Sequence, residues 1–472
     1  MKNDSVSQSF QFSSALELRD AIANRRISPV EVVKQTLERI DVLEPQLNCF
    51  VTLTPDIAME SARRAEHAVM RGDALGPLHG LPISVKDLIS MSSVRQTSGS
   101  RAMADNIATV DAPSVSRVLS AGACVVGKTT TSEFGCKAVG DSPLTGITRN
   151  PWDITKTPGG SSCGAAASVA AGITPFALGT DGGGSIRGPA SFTGIFGIKP
   201  QFARVPVFPT SATPTLGHVG PLARTVRDAA LLLNVIAGGD PRDPFSLQGG
   251  VPDFLRSCEQ PVRGMKIAWS PNLGYAKPTA EVVSIVESAL KTFEDMGCEV
   301  VLLENGIGAD PADLWMAEFY AGVGTRLSKI LHDSPQLLDI AVADTLAVAL
   351  DQGMHSYYQK VFDRYDFRER VREVFEGFDL LVSPTLPIAA CDVGVDVPKE
   401  LEGRNLCTWQ YFTYPFNLTG QPAASVPVGF TSSGLPVGMQ MVAKLGCEAD
   451  IFRAAAAFEE ARPWAAFIPP FA

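Results

Sequence analysis

Two hydrophobic periods alternate along the first half of the chain. From Val30 the apolar residues Val30, Val33, Leu37 and Ile40 recur at helical spacing. Ser28 as cap, Pro29 at the first helical position and Glu31 closing a capping box mark where that helix begins. Pro82 to Val85 then switches to period two, with Ile83 and Val85 on one side, which predicts a short strand with Lys86 at its end. Val115, Val118 and Leu119 predict another helix before a strand at Cys124-Val125-Val126. The small, Ala-rich run from Ser162 to Gly172 suits a tightly packed helix, and Phe176-Ala177-Leu178 a short buried strand. Strands and helices alternating through about residue 235 predict an α/β fold.

Beyond that point the pattern changes. Residues 238–261 are rich in Gly, Pro and Asp, as in a surface crossing. Residues 279–293 and 314–378 read mainly as helices, and a buried-strand pattern resumes only at Asp379-Leu380-Leu381-Val382. No linker, internal repeat or low-complexity stretch divides the chain.

Composition narrows the function. The 472 residues are 45% hydrophobic and 19% charged, enough apolar material for a large core. The formal charge of −10, with no basic run, argues against a nucleic-acid partner. Nine scattered cysteines without a CxxC fit reduced, cytoplasmic usage. No apolar run reaches bilayer length, so no membrane association is expected.

The candidate chemistry lies in TPGGSSCGAAASVAAGITPFALGTDGGGSIRGPA, residues 157–190, where glycine runs introduce Ser161 and Ser185. Such runs bring backbone close to a ligand and can aim several N–H groups at one anion. Two other motifs compete. Residues 122–129, GACVVGKT, match a phosphate-binding P-loop, but the apolar strand occupies the supposed loop. Residues 160–164, GSSCG, match a nucleophile elbow at Ser162, yet no β-run leads into it, and only His218, His332 and His355 lie downstream to serve as base. No metal-ligand spacing is present, so neither a metal nor another cofactor is expected.

PGGSSxG, a small-residue helix and GTDxGGSIRxPA together resemble the signature of the amidase signature family of serine hydrolases. Gly80 to Asp87, GLPISVKD, is similar to that family's lysine motif, and RNPWD at 149–153, GPLARTV at 220–226 and FNLTGQPAASVPVGF at 416–430 resemble further blocks in family order. The resemblance implies a single domain, 1–472, built on one large mixed β-sheet flanked by helices on both faces. Within it, 1–75 would be N-terminal helices, 76–235 the catalytic core, 240–375 a variable, mostly helical region lining the substrate channel, and 376–472 the return to the core sheet. It further implies a Ser–Ser–Lys set: Ser185 as nucleophile, Ser161 as the bridging serine on a cis peptide bond, and Lys86 as base. Gly182, Gly183 and Gly184 would bind the oxyanion, Asp181 and Arg187 would brace the turn with Ser162 nearby, and Phe134, Gly135 and Cys136 would form the floor of the pocket. Ser84 and Cys163 stand where the family has glycine, and Gly182 where a side chain is common, which bears on the pocket's shape.

A lysine serves as base only when neutral, so its pKa must fall from ~10.4 to ~7–8. Burial beneath the glycine turns is the expected cause. Ten aromatic residues fall within the 68 positions 312–379, and Trp409, Phe412 and Tyr414 follow. Some of these rings, Trp409 among them, are expected to line the cleft, which points to an apolar or aryl amide as the small-molecule substrate. A carbamate or ester cleaved by the same residues is the alternative. An aminoacyl-tRNA amidotransferase A-type subunit is a further one, disfavoured because QFARVP at 201–206 stands where that subunit has a glycine-bearing YGxVSRxG run. The protein partner admitted is a second copy of the chain.

Overall fold

The computed structural model describes residues 10–472. The expected helix spans Pro29–Leu47, and its capping box forms: Ser28 Oγ accepts from the Val30 amide at 2.9 Å while Glu31 takes the Ser28 N–H at 3.1 Å. Its apolar stripe, with that of helix Pro55–Arg71, covers one end of the sheet.

In chain order the strands are β1 (Phe50–Leu53), β2 (Pro82–Lys86), β3 (Cys124–Thr129), β4 (Asp141–Ser142), β5 (Gly146–Ile147), β6 (Phe176–Asp181), β7 (Phe196–Lys199), β8 (His218–Ala223), β9 (Lys266–Trp269), β10 (Glu299–Leu302), β11 (Leu380–Pro384), β12 (Ala423–Phe430) and β13 (Pro436–Ala443). β4 and β5 form a separate small ribbon. The other eleven make one sheet in the order β1-β3-β2-β6-β8-β7-β12-β13-β11-β9-β10. It is mixed: β3, β2 and β6 run parallel, the strands from β6 through β8, β7, β12 and β13 to β11 pair antiparallel, and β11, β9 and β10 are parallel again.

Both faces are covered, so β2 and β11 are buried at every residue and successive side chains enter opposite layers. Ile83 and Val85 of β2, Phe176 and Leu178 of β6, and Leu380 and Val382 of β11 enter the largest core, with helices Val226–Ile236, Ala280–Asp295 and Glu448–Ala461. Leu381 of β11 and Ala268 of β9 face a second core made by helices Ala312–Asp333, Ile340–Leu350 and Met354–Gly377 and by residues 386–418. Ser84 alternates with Ile83 and Val85, and its hydroxyl lies 3.4 Å from that of Ser168 in helix Cys163–Ala170. Lys86 shares that parity at the end of the same strand.

Residues 240–375 are mostly helix, but β9 and β10 also lie there and extend the central sheet by parallel pairing, which the sequence pattern did not predict. Both are four residues long, and edge strand β10 leaves Val301 and Leu302 37% and 55% exposed, so no buried run betrays it.

Candidate active site

The end of β2 delivers Lys86 into a fully buried position. Its Nζ lies 2.7 Å from Ser161 Oγ and 2.8 Å from Thr180 Oγ1, with the Thr180 carbonyl at 3.5 Å. Burial pulls the ammonium down from 10.5 to about 7, against smaller upward pulls from Cys163 and Asp181. A lysine so placed is half neutral at neutral pH and can accept a proton from Ser161.

Ser161 follows a cis peptide bond from Gly160 and is 1% exposed. Helix Cys163–Ala170 starts two residues later, and the Ser162 amide at its entrance donates to the Ser185 carbonyl at 3.1 Å, joining the two serine turns. Ser185 itself follows β6 through Gly182, Gly183 and Gly184. A Cβ on Gly182 would stand 2.8 Å from Phe319 and one on Gly183 2.6 Å from Trp315, whose indole N–H donates to the Gly182 carbonyl at 2.8 Å. Two rings pressed on the backbone are the reason these positions carry no side chain. They also keep Gly182 from loosening the turn.

Asp181 and Arg187 pin the turn from below, both fully buried and 2.9 Å apart. Asp181 also accepts the amides of Gly184 at 2.8 Å and Ile186 at 3.2 Å, and the Asn417 side chain at 2.9 Å. Burial raises this carboxyl, but the Arg187 charge and hydrogen bonds, Lys199 and Asn417 outweigh it and hold it well below the carboxylate range. Arg187 spends its remaining donors on the Thr413 carbonyl, Gln440 and Asn417 at 2.6–2.8 Å. Every charge on this pair is thus answered, as a buried ion pair demands.

A cavity of about 290 Å³ opens over Ser161, Thr180, Gly182 and Ser185. Its walls are mostly apolar, with Leu88, Ile89, Phe134, Phe208, Phe319 and Val323 among them. Residues 206–213, which include the cis Phe208–Pro209 bond, make one side.

The structure therefore brings together Lys86, Ser161, Ser185, Gly182, Gly183, Asp181, Arg187, Phe134 and Gly135. It places two others apart, and it engages the amide of a third, Gly184, elsewhere. The Gly184 amide is committed to Asp181, whereas among the described residues no hydrogen bond holds the amides of Gly182 and Gly183. Cys136 is fully buried behind Gly135, its carbonyl taking the Cys407 thiol at 3.2 Å, so it is not part of the floor. Trp409 is also fully buried and lies outside the cavity, stacked 6.3 Å from Phe192 with its N–H on the Asp396 carbonyl. The aromatic segment divides likewise: Trp315 and Phe319 press on the glycine turn, while Tyr358, Phe362 and Tyr365 are more than half exposed. Cys163 points its thiol to Thr130 Oγ1, 3.7 Å away, rather than into the cavity.

The competing motifs take structural roles. The Ser162 hydroxyl is buried, donating to the Thr180 carbonyl at 3.1 Å and facing the Thr180 amide at 3.3 Å. His218 lines the cavity, but one ring nitrogen meets the Leu216 carbonyl at 2.7 Å and the other lies 3.4 Å from Lys199; burial, then Lys199, push its pKa well down. Lys128 of the P-loop match is buried in β3, giving a hydrogen bond to the Ile89 carbonyl at 2.7 Å with Asp87 3.5 Å away. Sequence reasoning missed Thr180, Asn417, Thr413 and Gln440. Thr180 sits in the GTD run beside Asp181 and Asn417 in the 416–430 block; Thr413 and Gln440 carry no local signal.

The Amidase family model matches residues 31–452. The chain belongs to the amidase family. An acylamidase of Rhodococcus erythropolis is 34% identical over 469 residues, covering 97% of each chain. The A subunit of a glutamyl-tRNA(Gln) amidotransferase from Moorella thermoacetica is 36% identical over 475 residues, covering 95% of this chain and 96% of its own. Among solved structures, a bacterial aryl acylamidase of the amidase signature family superposes with a TM-score of 0.92 at 32% identity, covering 96% and 97% of the two chains. A 6-aminohexanoate cyclic dimer hydrolase with bound substrate gives 0.90 at 26% identity over 98% and 99%. This family member is an amidase, a hydrolase acting on amides, on an α/β fold with one mixed eleven-stranded sheet. Among the described residues no helix is long and apolar enough to cross a membrane.

Proposed function

We propose that the chain hydrolyses an apolar or aryl carboxylic amide through an acyl-enzyme on Ser185. Ser185 Oγ attacks the amide carbon as its proton passes to Ser161 Oγ, which gives its own proton to neutral Lys86. The amides of Gly182 and Gly183 bind the resulting oxyanion, a contribution of about 3–4 kcal/mol per donor in comparable sites. Collapse breaks the C–N bond, and the amine leaves with the proton returned from Lys86 through Ser161. Water then frees the acid by the same relay in reverse. The observation that carries this reading is the buried 2.7 Å contact between Lys86 and Ser161 beneath a cavity that Ser185 lines. The small, mostly apolar chamber supports a ring or short chain as substrate.

Two further features bear on the assignment. The segment that differs from the amidotransferase subunit runs straight into the cavity wall at Pro206, which favours a free-standing amidase. A carbamate or ester would pass through the same acylation step. All nine cysteines are free thiols, in keeping with a cytoplasmic location.

The test is the purified chain, with no partner added, on anilides, primary amides, aryl esters and carbamates, followed by mass mapping of a fluorophosphonate adduct. Anilide turnover with the label on Ser185 is expected. Ser185→Ala should abolish turnover, Ser161→Ala should leave a trace, and Ser162→Ala should retain most of it. A label on Ser162 that spares Ser185 would overturn the assignment.

A further inference from the structure

Lys137 takes no part in the chemistry above and does not line the cavity. It is nevertheless 2% exposed, and its Nζ lies 2.7 Å from Asp141, 3.1 Å from Asp339 and 2.7 Å from Asp396. Burial alone would lower this ammonium's pKa, but the charges and hydrogen bonds of Asp141 and Asp396 outweigh it and raise it above the ordinary range. One buried cation thus gathers carboxylates from three separate segments.

Those segments are tied to the turn whose Phe134 and Gly135 form the wall beside Ser161. Asp339 caps helix Ile340–Leu350, accepting the amides of Ala341 at 3.0 Å and Val342 at 3.3 Å. The amide of Asp339 in turn donates to Glu133 at 2.7 Å. Glu133 and Lys137 bracket Phe134 and Gly135, so both flanks of that turn grip the same residue of the outer helix. The turn between them is unrelaxed. Phe134 has φ +48°, a left-handed conformation that a bulky residue keeps only when its surroundings enforce it. Gly135 has φ +76°, and a Cβ there would meet Ser161 Oγ at 3.2 Å. On the far side, Ser132 Oγ donates to the Lys137 carbonyl at 2.9 Å, and that carbonyl packs against Gly160, where a Cβ would lie 2.8 Å from it.

We propose that Lys137, acting with Asp339 and Glu133, is a positioning residue that latches the Phe134–Gly135 turn against Ser161 and thereby sets the fit of the ring-bearing part of the substrate; this rests on reading the cavity as the substrate site. Loss of the ammonium leaves Asp141, Asp339, Asp396 and Glu133 facing one another. Among the described residues, one oxygen of Asp141 is already buried without a hydrogen bond, and the other is held by Lys137 alone, so this carboxylate loses its side-chain partner outright. Like charges left together repel, and the turn relaxes.

The experiment uses the full chain and Lys137→Met, Lys137→Arg and Asp339→Asn. Hydrogen exchange at the amides of residues 134–136 reads the latch without reference to activity. The methionine variant is expected to exchange there about tenfold faster or more, with the β6–β8 pairing unchanged, the arginine variant close to wild type, and the asparagine variant between. In kinetics, kcat/KM for a bulky anilide should fall about thirtyfold, mainly through KM, while labelling of Ser185 by a small methyl phosphonate falls less than about threefold. Should the methionine variant not fold, the asparagine variant carries the same comparison. Unchanged exchange at 134–136, or equal losses for anilide and phosphonate, overturns the latch. Failure of the wild type to label at Ser185 overturns the catalytic reading instead, and the exchange result still decides the latch.

Discussion

On the proposed mechanism, lowering the pH should switch the enzyme off with a midpoint near 7, because protonation of Lys86 removes its base. The depression from 10.5 to about 7 corresponds to about 5 kcal/mol. With a pKa of 7 the neutral fraction is about one-tenth at pH 6 and nine-tenths at pH 8, so kcat/KM should rise about tenfold between them and then level off. An undepressed lysine would keep gaining tenfold per unit to beyond pH 10. The assay is anilide hydrolysis from pH 5.5 to 9.5 at constant ionic strength, following release of an arylamine that does not titrate in that range. The same shift affects folding. Between about pH 7 and 10.5 the unfolded lysine binds a proton that the folded one does not, so this group's penalty is full below pH 7 and fades as pH rises toward 10.5. Lys86→Met removes the penalty along with hydrogen bonds to Ser161 and Thr180 worth about 1 kcal/mol each. The inactive variant should therefore be more stable than the parent by about 3 kcal/mol at pH 6 and lose that advantage toward pH 10, as read by thermal unfolding at the two values. A profile that climbs without a plateau, or a methionine variant less stable than the parent at pH 6, would refute the depressed base.

Arg187→Met leaves Asp181 charged and unpaired in the interior, and should cost about 3–5 kcal/mol of stability, measured by thermal or urea unfolding, with turnover lost even where the fold survives. Gly183→Ala puts a methyl group 2.6 Å from Trp315 beside a free amide, so kcat should fall about a hundredfold or more while the protein remains folded by circular dichroism. Phe319→Ala removes a ring that is 7% exposed and forms part of the cavity wall. It should cost about 3–5 kcal/mol in stability and lower kcat/KM for an anilide about tenfold more than for acetamide; an equal loss on both would make this ring core rather than binding surface.

Lys86 was legible because it ends a period-two run whose alternation places it opposite Ile83 and Val85, and a strand's end is a fixed place in the fold. Ser185 was legible through glycines that the crowding of Phe319 and Trp315 explains, and Ser161 through Gly159 and Gly160, which lie against Pro189, Phe192 and the Val139 and Lys137 backbone. Thr413 and Gln440 were not, and Asn417 stood in a recognised block without its partner, since all three reach Arg187 from more than 220 residues away and no local period records such a meeting. Trp409 and Cys136 show the same limit from the other side. Their type and neighbourhood in sequence fit a pocket, but the direction a ring or thiol faces depends on partners, Phe192 and Cys407, that come from other segments. β9 and β10 escaped because a four-residue strand carries two residues per face, too few for a period to show.

The pin beneath the glycine turn also sets when, during its own synthesis, the protein can begin to work. Ser185 leaves the ribosome long before Asn417 and Gln440 exist, and Gln440 follows it by 255 residues (440 minus 185). At about 5–20 residues per second that is a delay of roughly 10–50 s. Until Thr413, Asn417 and Gln440 are in turn made, Arg187 has Asp181 beside it but lacks partners for its other donors, and β7 waits for β12 to pair with it. On the proposed mechanism, a nascent chain holding Lys86, Ser161 and Ser185 is expected to be inert toward amides, its own and those of its neighbours, until Gln440 has been made and folded back against the serine turns.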